Sequence, residues 1–318
     1  MDGRRLLKRW RENYYIGNAL AAIAKPLFRV SSKLSSEIPT KVRKNSASIR
    51  LPNGRILLWA RDAGVQISSL LYWRGVDAFE PQTFQTLRFF FERCNTFLDV
   101  GANYGYYSLL GAAWNPELRV FSFEPVPRIY AGLCRNIAVN NYGNRVVATQ
   151  AALSNHTGKA KFLLPEGESS DCEATGTLVT DGWQGRIKAP SFDVDTTTFD
   201  DFERGHPMKV DVVKIDVEDF EAGVLAGMDS TIRRDRPFIV CEILQRQHKN
   251  EETRKIVGSL GYTPYWIPRT NCYVRVSHFD FKREFATDFL LSPVDIGEVF
   301  TNLEDLWAVY QGKRPPQG

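Results

Sequence analysis

The 318-residue chain has little cysteine and no long apolar run, and each shortage closes off a class of protein. Its five cysteines, Cys94, Cys134, Cys172, Cys241 and Cys272, are odd in number and widely spaced. No CxxC pair occurs, so neither a zinc site nor thioredoxin-type chemistry is expected. Free thiols suit a reducing setting, and a cytoplasmic location is expected. No metal-ligand constellation is visible, although Asp216 and Glu242 could share an ion. No apolar stretch approaches the ~20 residues of a spanning helix. Ala19–Ala24 is too short even for the apolar centre of a secretory signal, ~7–15 residues, so no such signal is expected.

What is present is close to globular average: 43% apolar and 25% charged residues. The length suits two domains or one enlarged α/β domain of about 150 residues or more, with enough chain for a sizeable core. The net charge of +4 hides an asymmetry. Residues 1–50 carry 12 basic and 3 acidic residues (+9), leaving 29 basic and 34 acidic (−5) for the rest. The basic character therefore belongs to an N-terminal arm, and no nucleic-acid partner is expected. In that arm Arg4, Arg5, Lys8, Arg9 and Arg11 alternate with Leu6, Leu7, Trp10 and Tyr14. Such a segment could lie on an anionic membrane as a peripheral contact, or be a solvated helix.

The chain divides into an arm and linker over 1–48, a hairpin and lead-in helix over 49–95, and a main domain over 96–318. Asn53-Gly54 between two β-rich runs predicts the hairpin. Thr83–Cys94 has helical spacing. From Thr96 strands and helices alternate: strands at 96–100, 119–123, 146–150, 210–215 and 237–243, with helices at 106–114, 127–139, 218–228 and 251–260. That alternation predicts parallel strands joined by crossover helices. Three strand patterns at 262–267, 272–276 and 289–291 predict an antiparallel finish. Residues 165–190, rich in Gly, Ser, Glu and Thr, read as an irregular insertion over a site.

The most informative segment is Asp99-Val100-Gly101-Ala102-Asn103-Tyr104-Gly105. A strand ends at Asp99 and a helix starts near Gly105. Gly101 permits a tight turn with close approach to a ligand, and Gly105 permits close packing at the helix start. The dinucleotide pattern GxGxxG is absent, because Asn103 stands where its second glycine serves a pyrophosphate. No P-loop is present. The DxGxNxG pattern suits a ligand with a cationic amino-acid end and an adenosine end, and S-adenosylmethionine has both. Glu124 ends the next strand, 124−105 = 19 residues on, where an acid can accept from both ribose hydroxyls.

Farther along, Asp216 falls at the carboxyl end of the strand 210–215, on the same rim as Asp99 and Glu124. Glu242 sits amid Phe238, Ile239, Val240, Cys241 and Ile243, where burial would raise its pKa as a general base requires. Pairing with Lys214 is the alternative for Glu242, and His248 is a further proton acceptor. Glu218 and Glu221 read as acids of a helix first turn. Trp183, Tyr265, Trp266 and Tyr273 could stack on a sugar or pack in the core.

FLDVGANYGYYS, FSFEP and KIDVEDFEAGVLAGM together resemble the FkbM family of S-adenosylmethionine-dependent methyltransferases. The likeness runs in family order from about residue 50 to 292 and includes the Glu80-Pro81 pair, Ala151–Ser154 and Thr198-Phe199-Asp200. One departure is Asp219, where the family usually has glycine. The resemblance implies a Rossmann-like class I methyltransferase sheet of the α/β class, mostly parallel with an antiparallel C-terminal strand, carrying an N-terminal helical and hairpin extension. It implies O-methylation of a hydroxyl on a sugar, glycan or secondary metabolite. Carried over by position, Asp99, Gly101, Asn103 and Gly105 hold the methionine end, Glu124 the ribose, and Asp216 stands beside the sulfonium; Glu80 and Tyr104 join the cofactor set. Glu242, Asp216, Lys214 and His248 form the catalytic set, with Glu242 preferred as base. Two other readings are a nicotinamide oxidoreductase and a non-catalytic scaffold that retains the fold.

Overall fold

The computed structural model describes Ala19 and residues 21–25, 44–163, 177–178, 191–243, 247–268, 272–277, 279 and 288–313. Most of the basic arm, most of 165–190 and Trp183 lie outside these residues, as do the side chains of 247–250, His248 among them. Among the described residues no helix is long and apolar enough to cross a membrane.

The chain opens with strands β1 (Ala47–Arg50) and β2 (Ile56–Trp59), antiparallel as the Asn53-Gly54 signal predicts. Their alternation buries Ala47, Ile49, Leu57 and Trp59 and exposes Ile56 and Leu58. Helix α1 (Val65–Arg74) follows, a helix not foreseen in the sequence, and then α2 (Pro81–Phe91). The βα alternation then supplies β3 (Thr96–Val100), α3 (Tyr106–Trp114), β4 (Arg119–Phe123), α4 (Pro127–Val139) and β5 (Val146–Thr149). Four short strands come next: β6 (Ala152–Leu153), β7 (Gly158–Leu163), β8 (Thr177–Leu178) and β9 (Ser191–Thr197). Helix α5 (Phe199–Gly205) is capped by Thr198, whose hydroxyl accepts from the Asp201 N–H. Then come β10 (Val212–Ile215), α6 (Glu221–Ala226), α7 (Asp229–Asp235), β11 (Phe238–Glu242) and α8 (Gln247–Ser259). The chain finishes with β12 (Thr263–Trp266), β13 (Tyr273–Arg275), β14 (Asp288–Ser292), β15 (Val299–Phe300) and α9 (Leu303–Tyr310).

Nine strands form the main sheet in the order β15-β13-β12-β14-β11-β10-β3-β4-β5. The run β11-β10-β3-β4-β5 is parallel, and β14 enters antiparallel between β11 and β12, as the sequence pattern implies. One face of the sheet packs under α2, α3, α4, α9 and the hairpin; the other packs under α5 to α8. The hairpin and lead-in helix thus share the main core. Phe90 of α2 stacks on Phe238 of β11 with centroids 4.5 Å apart, and each such buried ring contributes about 1.5–3 kcal/mol.

Two readings need correction. The helix expected over 218–228 is instead a turn followed by two short helices. Glu218 and Asp219 hold φ values of 52° and 80°, a left-handed conformation that no helix continues. The segment 165–190 is not wholly irregular, since Thr177–Leu178 pairs with β7 in a second sheet of order β6-β9-β7-β8.

Candidate active site

In an open parallel sheet, ligands bind at the strands' carboxyl ends where the strand order reverses. Here that point lies between β3 and β10, because the chain leaves β3 for β4 on one side and returns to β10 on the other. A pocket opens there, lined among others by Gly101, Asn103, Glu124, Asp216 and Glu218. Its apolar side comes from Val126 and Ile129 of the α4 entry, from Leu153, and from Phe162 and Leu178 of the small sheet.

The turn after β3 is fixed by its neighbours. The N–H groups of Gly101 and Ala102 both donate to the Phe123 carbonyl, at 3.0 and 2.9 Å. Gly101 has φ 77°, and a Cβ there would overlap the Asp216 carbonyl oxygen, so no other residue fits. Glu124, only 5% exposed, accepts from the Asn103 N–H at 3.0 Å and the Val126 N–H at 2.8 Å, one on each oxygen. Burial nevertheless pushes its pKa up to about 7, against the pull of those two bonds.

Beside the pocket, on the α2–α3 face, acids gather around one lysine. Side-chain alternation and register put Lys214 of β10 on the same face as Glu242, which pairs directly with Asp288 of β14. Lys214 Nζ lies 3.5 Å from Asp216 and 3.8 Å from Asp288. Burial opposes its charge, but Asp216, Asp288, Glu80 and Glu242 outweigh that and hold its pKa well above the usual lysine value. Glu80, the cap of α2, accepts a bond from the Tyr107 hydroxyl. One oxygen each from Glu80, Asp216 and Glu242 lies within 4.8 Å of the others. Burial raises the pKa of both Glu80 and Glu242, and for Glu242 the charge of Asp216 adds to the effect.

Residues 99–264, just over half of the chain, match the family described as the Methyltransferase FkbM domain. The chain belongs to the FkbM methyltransferase domain family. It is 31% identical over 154 residues to the methyltransferase sdnD of Sordaria araneosa, covering 42% of this chain and 60% of that protein. It is 30% identical over 148 residues to the hexuronic acid methyltransferase AglP of Haloferax volcanii, covering 46% and 54%. The chain thus matches somewhat over half the length of these curated relatives. A crystal structure of an FkbM methyltransferase from Methylobacillus flagellatus aligns with TM-score 0.41 at 17% identity, covering 73% of this chain and 55% of that one.

In this FkbM-family chain the residues singled out in the sequence divide into three groups. Gly101, Asn103, Glu124 and Asp216 line the pocket together. Asp99, Tyr104 and Gly105 stand behind it. Asp99 is buried under the turn, where it accepts from the Ser108 hydroxyl, and its pKa is raised to about 6 by burial. The Tyr104 ring lies close to Gly64 and Gly132, and Gly105 starts α3 hard against Leu133. Glu80, Lys214 and Glu242 form the acidic cluster with Asp216 rather than lining the pocket. The ion pairs of Lys214 among the described residues are with Asp216 and Asp288, not with Glu242. The expected i,i+3 pair of Glu218 and Glu221 is not helical, since α6 begins only at Glu221.

Of the aromatics that could stack on a sugar or pack in the core, Tyr265 and Tyr273 are core residues and Trp266 is partly buried against the core. Tyr265 is fully buried and donates to Asp295 at 2.8 Å; Tyr273 stacks on Phe300, its hydroxyl 2.7 Å from that of Thr86. Sequence reasoning missed Asp288, Tyr107, Phe162 and Leu178. Phe162 and Leu178 lie on short strands with no strong pattern, and Asp288 reveals itself only through its register with Glu242.

Proposed function

We propose that the chain transfers a methyl group from S-adenosylmethionine to a hydroxyl oxygen of a sugar or another small metabolite. The observation that carries this reading is the pocket at the switch point, with the Glu124 carboxylate on one side and Asp216 on the other. Its residues fit the cofactor. Gly101 leaves a cradle that a Cβ would fill, Glu124 has oxygen lone pairs for two ribose hydroxyls, and Val126, Ile129, Phe162 and Leu178 offer an apolar slot for a base. The sugar acid named for the Haloferax relative favours a carbohydrate acceptor. The nicotinamide reading has no such support, because Asn103 occupies the place where backbone would have to meet a pyrophosphate.

The cofactor, when bound, supplies an already activated methyl on a sulfonium. What the chain must do is orient and exclude water. Holding the acceptor oxygen in line is worth up to ~7–11 kcal/mol in well-oriented systems. The rigid turn at 99–105, bonded to β4 and abutting Asp216, serves that alignment. Two neighbouring carboxylates, Asp216 on the pocket and Glu242 beside it, are the candidates to take the acceptor's proton; Glu242 is our choice as base, a role that typically adds ~10²–10⁴-fold.

The test is transfer of labelled methyl to a panel of sugars, sugar acids and small alcohols, with S-adenosylhomocysteine binding measured by calorimetry. Transfer to at least one acceptor is expected, with binding weakened tenfold or more in Glu124→Ala. Wild-type protein that neither binds S-adenosylhomocysteine nor labels any acceptor, or binding equal in Glu124→Ala, would sink the reading.

A further inference from the structure

Outside the cofactor pocket, the least settled group in the molecule is the acidic cluster. Glu80, Asp216, Glu242 and Asp288 come from four separate segments and converge on a single ammonium. Lys214 neutralises at most one of them, and its ion pairs go to Asp216 and Asp288. The three oxygens of Glu80, Asp216 and Glu242 all lie within 4.8 Å of one another, so one point can stand within about 2.8 Å of all three, and a small inward shift of the side chains brings them to the ~2.3–2.6 Å of calcium–oxygen contacts, a larger one to the ~2.0–2.1 Å of magnesium. An all-oxygen donor set selects hard cations.

Lys214 supplies a second, independent observation. Its side chain is 1% exposed, and among the described residues its Nζ makes no hydrogen bond. It is aimed at the same carboxylates. With oxygens of Asp216 and Asp288 at 3.5 and 3.8 Å the buried ammonium is ion-paired but makes no hydrogen bond, so a closer oxygen would complete it. A ligand that suits both features must bring positive charge to the three carboxylates and an oxygen to Lys214.

We propose that Glu80, Asp216 and Glu242 hold a hard divalent cation of the magnesium, manganese or calcium class, with Lys214 addressing an oxygen that the ion carries. The ion takes one oxygen from each carboxylate, which leaves the second oxygens of Asp216 and Glu242 for a proton. The role inferred for it, fixing the acceptor's hydroxyl next to the pocket, rests on the methyltransferase reading; the binding itself does not.

The full chain, stripped with chelator and dialysed, is titrated with Mn²⁺ while the free ion is followed by electron paramagnetic resonance. One ion per chain is expected, bound tighter than millimolar. Glu80→Gln and Glu242→Gln should each weaken it at least tenfold, and Asp193→Asn, an acid paired with Lys161 on the small sheet, should not. If a Gln variant fails to fold, Glu80→Asp, which keeps the charge and withdraws the oxygen by one methylene, should weaken binding in the same direction. No stoichiometric Mn²⁺ binding by the wild type, or equal binding by the variants, overturns the site. Wild type that binds S-adenosylhomocysteine but no Mn²⁺ loses the metal site alone; Mn²⁺ binding without S-adenosylhomocysteine binding or methyl transfer keeps the site and loses the methyltransferase reading.

Discussion

Glu124 joins two opposing demands in one side chain. Burial favours its neutral form and lifts its pKa from 4.5 to about 7, while two backbone N–H groups and, in our reading, two ribose hydroxyls favour the carboxylate. Cofactor binding should therefore expel a proton below about pH 7. Affinity for S-adenosylhomocysteine is expected to rise with pH between 5.5 and 7, approaching tenfold per unit at the low end, and to level off above pH 7.5. Stability of the free protein runs the other way. An acid whose folded pKa is raised contributes most below its unfolded value, and that contribution is lost as pH rises through about 7. Calorimetry across pH, repeated on Glu124→Gln, checks this: the variant should bind more weakly and lose the rise. A rise that persists in the variant would assign the proton to another group. Asp219 shows the residue scale in a different way. It stands where the family usually has glycine, and with φ 80° in a buried turn it occupies a backbone conformation that glycine adopts without strain.

At the scale of elements, the floor of the pocket depends on a contact between two backbones. Gly227 ends α6 with an ordinary φ of −74°, so its conformation does not require glycine. Its surroundings do, because a Cβ would run into the Ser154 carbonyl oxygen just past β6. Gly227→Ala is expected to push β6 outward and cost about 1–3 kcal/mol, the usual penalty of overpacking. Leu153 of β6 lines the pocket, so cofactor affinity should fall too. Urea unfolding and calorimetry on the variant test both effects, and an unchanged midpoint would refute the contact. The same elements explain what could be read from the sequence. Strands such as Phe97-Leu98, Val212-Val213 and Ile239-Val240 are buried on both faces and give continuous apolar runs. The glycine turn and Glu124 follow directly from such a strand, so this part of the pocket lining was legible. The small sheet was not: β7 and β9 place Lys159, Lys161, Asp193 and Asp195 outward and are mostly polar. Helix α1 was hidden by Ser68 and Ser69, polar residues that are nevertheless buried. The cluster of Glu80, Lys214, Glu242 and Asp288 depends on sheet order and register, which no local pattern encodes.

On the scale of the whole molecule, the pocket is a seam between two sheets. Gly101, Glu124 and Asp216 belong to the main sheet's rim, whereas Phe162 and Leu178 belong to the small sheet. A ligand in that seam touches both and is bound only while both are folded. Any ligand that binds the folded state alone stabilises it by RT ln(1 + [L]/Kd), about 2.7 kcal/mol at a hundredfold excess over Kd. S-adenosylhomocysteine should accordingly raise the melting temperature by several degrees, without reaching a plateau as its concentration grows. Leu178→Ala removes apolar contact with the proposed base slot and should reduce affinity severalfold; because Leu178 is buried in one cluster with Val126, Ile129 and Phe162, its unliganded melting temperature should fall as well, so the ligand-induced shift is read against each protein's own unliganded melt. Glu124→Ala should abolish most of the shift, and NADH should produce none in any form of the protein. Thermal melts over a ligand series in the three proteins decide it. A shift with NADH, or a shift with S-adenosylhomocysteine that neither substitution reduces, would mean that the seam is not where the cofactor binds.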